Sequence, residues 1–142
     1  MSIWFIQPDL DTVNQMSTET MAGGLGISIV EVGNDFLRGT MPINNQTVQP
    51  YRVMHGGASA AMAETLGSVA ANFAVDPAKF RCVGLSLNIS HIRGVKEGGV
   101  VTGTARPFHI GRTTHVWDIQ IEDERGKLAS VARLTMAVLP QA

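Results

Sequence analysis

Only one cysteine, Cys82, occurs in the 142 residues, which excludes an intrachain disulfide framework and makes a reducing compartment the expected setting. Charge is sparse too. Charged residues make up 16% of the chain, and eleven Lys+Arg against twelve Asp+Glu leave a net charge of -1. Such a chain lacks the basic face that displaces counterions from nucleic acid, although a small basic pocket for one phosphorylated ligand stays open. The longest stretch nearly free of charge, Val53 to Val75, carries Gly, Ser, Thr and Asn with Glu64 at its centre, which makes it a poor membrane span. The N-terminus has no basic segment, and Asp9 follows its short apolar run, so no secretory signal is expected and the cytoplasm is. The four histidines show no ligand spacing for zinc. No Gly-x-Ser-x-Gly elbow, phosphate-binding loop or dinucleotide fingerprint is present either. No metal and no cofactor are therefore expected.

What the chain does have is apolar residues: 44% of the total, in a length that suits one domain over residues 1–142. Pro8-Asp9 ahead of Leu10, Val13 and Met16 predicts a short amphipathic helix capped by Asp9. The Gly23–Gly26 run breaks the chain. Ile27–Val32 and Phe36–Pro42 alternate like strands across the turn Gly33-Asn34-Asp35. After the polar loop Asn44–Gln49 comes the anomaly, His55 to Phe73, in which small or apolar residues fall on nearly every side of a helix. A helix apolar all round is a buried one. Beyond Asp76-Pro77 the chain reads as strands at Val83–His91, Val100–Arg106, His115–Glu122 and Lys127–Leu139. In the first of these, Val83, Leu85, Leu87, Ile89 and His91 share one parity. Short connections make an antiparallel sheet wrapped around the long central helix the simplest α+β solution. The uncovered edges of such a sheet favour self-association.

Glu64 is the only acid between Asp35 and Asp76 and falls near the middle of the buried helix. Desolvation there would raise its pKa into the range of a useful base; a structural glutamate bonded to a buried polar partner is the alternative. His55-Gly56-Gly57 opens the same helix, either as a simple loop-to-helix turn or as an anion site built from free first-turn N–H groups. Gly56 and Glu64 lie eight residues apart, about 12 Å along a straight helix, too far for one thioester-sized centre to touch both. If both serve one reaction, the N–H groups come from a second protomer and the site lies at the interface of at least a symmetric dimer. Ser68 shares a helix face with Glu64, where bonding a backbone carbonyl is its commoner use. His91 shares the apolar parity of its strand and is expected to point towards the helix, as core histidines do. Gln49 carries no signal alone. Arg93, Arg106, His109 and Arg112 gather late in the chain, as phosphate-binding groups or as solvated surface cations.

The segment Gln49-Pro-Tyr-Arg-Val-Met-His55-Gly-Gly-Ala-Ser-Ala-Ala-Met-Ala-Glu64-Thr-Leu-Gly-Ser68 resembles the centre of the hotdog-fold acyl-CoA thioesterases. The likeness extends over nearly the whole chain, through Asn88-Ile-Ser-His91-Ile-Arg93, Pro107-Phe-His109-Ile-Gly111 and the Leu134–Leu139 end. His-Gly-Gly with a glutamate nine positions after the histidine is most similar to the branch that hydrolyses 1,4-dihydroxy-2-naphthoyl-CoA in menaquinone synthesis. The enterobactin proofreading and Arthrobacter-type 4-hydroxybenzoyl-CoA enzymes are its close relatives.

The resemblance implies an antiparallel sheet around a central helix and hydrolysis of acyl-CoA or acyl-carrier-protein thioesters without a cofactor, coenzyme A being part of the substrate. It also implies a homotetramer built as a dimer of dimers. Glu64 would be nucleophile or general base, and the Gly56 N–H of the opposing subunit would polarise the carbonyl while His55 orients nearby atoms. Gln49 would position the thioester or water, with Ser68 and His91 near the acyl group. Gly84, His91, Ile92, Arg93, Gly94, His109, Ile110, Gly111, Arg112, Thr113 and Thr114 would hold the pantetheine and nucleotide parts. A phenylacetate-type or medium-chain thioesterase and a non-catalytic acyl-CoA-binding module are the alternatives. Pocket width would depend on Met62, Val69 and Phe73.

Overall fold

A computed structural model describes all residues, 1–142. Asp9 opens the first helix as expected, its carboxylate accepting the Thr12 N–H at 3.0 Å and capping α1 (Leu10–Met16). The glycine run that reads as a break is instead one further turn, α2 (Met21–Gly24). Strands β1 (Ser28–Val32) and β2 (Leu37–Pro42) follow, then the long helix α3 (Gly56–Phe73). Four strands complete the chain: β3 (Phe80–His91), β4 (Val100–Ile110), β5 (Thr114–Glu122) and β6 (Leu128–Pro140). They form one antiparallel sheet in the order β1-β2-β4-β5-β6-β3, wrapped around α3. This is the hotdog arrangement that the resemblance implies. No helix is long and apolar enough to cross a membrane.

Sheet and helix meet through their small residues. Gly39 on β2 faces Gly103 on β4, and a β-carbon on either would lie 2.6 Å from a Leu66 methyl. The two missing side chains leave the hollow that Leu66 fills, and Leu66 is fully buried with Met62, Trp117, Ile119, Ile121 and Leu134. Met62 therefore belongs to the core. The sequence expectation that α3 is apolar and buried all round needs correction. Ala58, Ser59, Met62, Ala63, Leu66, Gly67, Ala70 and Ala71 are buried against the sheet. Ala60, Ala61, Glu64, Thr65, Ser68 and Val69 lie on a face only half covered within one chain.

The strand register shifts at four places; at Ala129 of β6 the extra residue stays buried, and at the other three it is exposed. Val30, Leu85 and Phe108 are each an extra residue against the partner strand, and each is thrown outward, 45%, 61% and 61% exposed. The bulge at Leu85 overturns the shared parity expected for β3. Val83 and Leu85 face out, while Leu87, Ile89 and His91, beyond the bulge, turn towards α3. Strand β4 also continues past Arg106 to Ile110. Strand β3 is an edge of the sheet, twelve residues long, with one side of its backbone unpaired.

Candidate active site

Glu64 sits midway along α3 on its half-covered face and is half-buried within one chain. No side chain or backbone group of its own chain donates to the carboxylate, so the structural alternative, a glutamate tied to a buried partner, does not hold. It lies at a groove of about 340 Å³ whose other walls are Met21, Ala22 and Leu25 of the α2 region, Gly57, Ala60, Ala61 and Thr65 of α3, and Leu87 of β3. Gly84 lies under its carboxylate. The walls from α2 were missed in the sequence because Met21-Ala-Gly-Gly carries no helical period of its own.

The start of α3 is a second constellation. His55 is its N-cap residue; its Nδ1 accepts the Gly57 N–H at 2.7 Å, so a neutral ring carries its proton on Nε2. The Gly56 N–H, first of the helix, has no acceptor. Both the turn and the anion-site readings of His55-Gly56-Gly57 are thus realised, since the cap uses one N–H and leaves the other free. His91 packs against Gly56, where a β-carbon would lie 3.0 Å from its Nε2, and its Nδ1 is 3.3 Å from Ser59 Oγ. Gln49 folds back on its loop, its Oε1 accepting the Tyr51 N–H, which leaves the amide NH2 as a donor. A cavity of about 310 Å³ joins Gln49, Gly56, His91, Ile92, Arg93 and Gly94 with Met54 and Ser130.

Although Gly57 belongs to both constellations, the Glu64 carboxylate and the cavity beside Gly56 and His91 lie apart within one chain. Gly84 pairs with Met136 and His91 with Ser130, so six residues of β6, about 20 Å, separate their rows. The β4–β5 hairpin, His109 to Thr114, closes by the Gly111 N–H donating to Thr114 O at 2.8 Å. Its Ile110–His115 row runs on to Met136 and Gly84, so the hairpin lies at the Glu64 end, opposite Ile92, Arg93 and Gly94. Thr113 O accepts the Val138 N–H, and Arg112 is exposed. The arginine cluster suggested by sequence is dispersed. Arg106 leaves it for the outer face, 5.0 Å over the Phe36 ring and beside Asp118.

Ser68 bonds neither the carboxylate nor a backbone carbonyl. Its hydroxyl lies 3.8 Å from the Met136 sulfur, and it lines a separate groove with Val69 and Phe73. Cys82 offers no nucleophile, because burial pushes its thiol up to about 11. An unpartnered carboxylate has the chemistry of a base or nucleophile, and a free helix-terminal N–H that of an oxyanion donor.

Residues 51–130 match the family described as Thioesterase superfamily. The chain is 40% identical over 137 residues to a 1,4-dihydroxy-2-naphthoyl-CoA hydrolase of Escherichia coli strain K12, covering 96% of this chain and 99% of that protein. It is 41% identical over 137 residues to a proofreading thioesterase of Cronobacter sakazakii, covering 96% and 98%. The crystal structure of a mutant thioesterase from Pseudomonas aeruginosa matches with a TM-score of 0.96 at 43% identity, covering 99% of this chain and 100% of that one.

Proposed function

The chain belongs to the Thioesterase superfamily and is a thioester hydrolase, and from that premise we propose that it cleaves aromatic acyl-CoA thioesters in sites shared between two protomers. The observation that carries this reading is the unpartnered Glu64 carboxylate at an apolar groove, with the one free N–H of α3 eight residues away on the same helix. One helix cannot bring both to one carbonyl. The unpaired edge β3 supplies a way for two chains to do so. Antiparallel pairing of β3 with its copy about a twofold near Leu87 and Asn88 sets Gly84 opposite His91 of the partner subunit. Glu64, lying over Gly84, then faces Gly56 of the partner subunit. The same operation brings Arg93 of the partner subunit towards the hairpin of His109 to Thr114, a cation-bearing cleft suited to the nucleotide of coenzyme A.

The Gly56 N–H of the partner subunit polarises the thioester carbonyl, and the Gln49 amide positions the thioester or the water. Acting as base, Glu64 takes a proton from water as the water oxygen attacks the carbonyl carbon. The tetrahedral oxyanion collapses, the C–S bond breaks, and the thiolate leaves and takes up the proton, giving free acid and free thiol. Acting as nucleophile, Glu64 forms an anhydride as the thiolate leaves, and water then opens it. A single turnover in labelled water separates the two, since label entering the Glu64 carboxylate marks the anhydride.

The groove supports an aromatic acyl group. Its 340 Å³ lie within the size of small-molecule sites, about 300–1,000 Å³, and six of its nine lining residues are hydrophobic. One relative of similar length, the 1,4-dihydroxy-2-naphthoyl-CoA hydrolase, bears a name that fits this reading. Thiol release from naphthoyl-, benzoyl- and straight-chain acyl-CoA tests it. The aryl substrates are expected to give the higher kcat/KM, and Glu64→Gln to lower kcat by about 10²–10⁴ with the oligomer intact. Equal rates for Glu64→Gln and the unaltered enzyme would refute the role of Glu64, and a preference for straight chains would refute the aromatic pocket.

A further inference from the structure

We propose that Gly84 is a positioning residue for Glu64, and that the absence of a side chain there, together with the bulge at Leu85, fixes where the reacting carboxylate lies. This rests on Glu64 being the catalytic group. The resemblance alone assigns Gly84 to coenzyme A, but the geometry points elsewhere. A β-carbon built on Gly84 would fall well inside van der Waals contact distance of Glu64 Oε2 and 3.1 Å from its Cδ. The carboxylate therefore occupies the volume that any other residue's side chain would fill. Gly84 pairs with Met136, which is fully buried and lies beside the Ser68 hydroxyl at 3.8 Å. That side is closed, so a methyl group at position 84 displaces the carboxylate away from the sheet.

The bulge extends this arrangement along the strand. Ahead of it, Cys82 and Gly84 face α3; after the extra residue, Leu87, Ile89 and His91 do. Unbroken alternation would instead turn Ser86, Asn88 and Ser90 to the helix. A single irregularity thus lets one strand present a bare backbone under Glu64 and an imidazole beside Gly56.

The test is steady-state kinetics of Gly84→Ala, Glu64→Asp, the double variant and Glu64→Gln with an aryl-CoA thioester. Misplacing a reacting group by about 1 Å costs up to about 10²-fold. Gly84→Ala is therefore expected to lower kcat about 10- to 100-fold with KM within about twofold of the unaltered enzyme. Glu64→Asp, shorter by one methylene, is expected to cost at least about tenfold less in the Gly84→Ala background than alone, the mark of two residues in contact. A raised KM with kcat intact would return Gly84 to substrate binding and overturn the proposal, as would additive losses in the double variant. Should Gly84→Ala fail to fold, a double variant that folds supports the clash and one that does not overturns it. If Glu64→Gln keeps full activity, the parent reading falls; if Glu64→Gln is inactive and Gly84→Ala is not, only the positioning role does.

Discussion

Replacing Gly56 by proline deletes one N–H and little else. Position 56 is the first of α3, where proline is tolerated because its N–H has no helical partner and its fixed φ suits the helix. The residue before it is already suitable: His55 has φ -66° and ψ 133°, the extended region that precedes proline. One steric consequence is measurable, since a β-carbon at position 56 lies 3.0 Å from His91 Nε2 and 3.2 Å from Cε1. The His91 ring is exposed and held only by a 3.3 Å contact to Ser59 Oγ, so it can give way. Gly56→Ala carries the same β-carbon and keeps the N–H, which makes it the control. The neighbouring Gly57 N–H cannot substitute, being donated to His55 Nδ1. Loss of one oxyanion donor costs about 10²–10³ in kcat, some 2.7–4 kcal/mol. With thiol release from an aryl-CoA thioester as the assay, Gly56→Pro is expected to fall by that factor below Gly56→Ala, with melting temperatures within a few degrees. Equal kcat values for the two variants would remove Gly56 from the mechanism.

Leu66→Ala empties the hollow between Gly39 and Gly103 and is expected to destabilise the fold by about 2–5 kcal/mol; a melting temperature unchanged within a degree in differential scanning calorimetry would contradict the packing described. His115 is fully buried, with Nδ1 accepting the Trp117 indole N–H at 3.2 Å and Nε2 unpartnered. Burial first, then the neighbouring His109, hold its pKa below the ordinary histidine value. The unfolded chain therefore binds a proton that the folded chain refuses. Stability is full above about pH 6.5 and falls as pH drops below it, by at most about 1.4 kcal/mol per pH unit. Denaturant titrations of the native protein and His115→Leu between pH 7 and pH 5 read this directly: the native protein loses stability more steeply, and parallel slopes would refute the assignment.

Much of the fold was legible because one face of each element is packed against α3. Trp117, Ile119 and Ile121 alternate on β5 and are fully buried, and Asp9 caps α1 as its position suggests. The bulges were not legible, because Val30, Leu85 and Phe108 are apolar residues that alternation assigns to a face without regard to an inserted step. Of the site, Glu64 stood out as a lone acid in an apolar helix, and the spacing to Gly56 already argued for two chains. The half-covered face of α3 was hidden because Ala60, Ala61 and Val69 look like core residues until the sheet is seen to cover the other side. The place of Gly84 was hidden for a simpler reason: a glycine gives no sign of which side chain fills the space it leaves.

Complementation between two inactive variants tests the shared site most directly. Glu64→Gln and Gly56→Pro are co-expressed with different tags, and the mixed dimer is isolated and assayed for thiol release. In that dimer, Glu64 of the Gly56→Pro chain faces the intact Gly56 of the Glu64→Gln chain, which restores one site of two. A 1:1 statistical mixture, half of it mixed dimers, should recover roughly a quarter of the native activity. Mixed dimers shown by mass spectrometry to form, yet no more active than either variant alone, would place both groups in the same chain and contradict a site shared across the twofold.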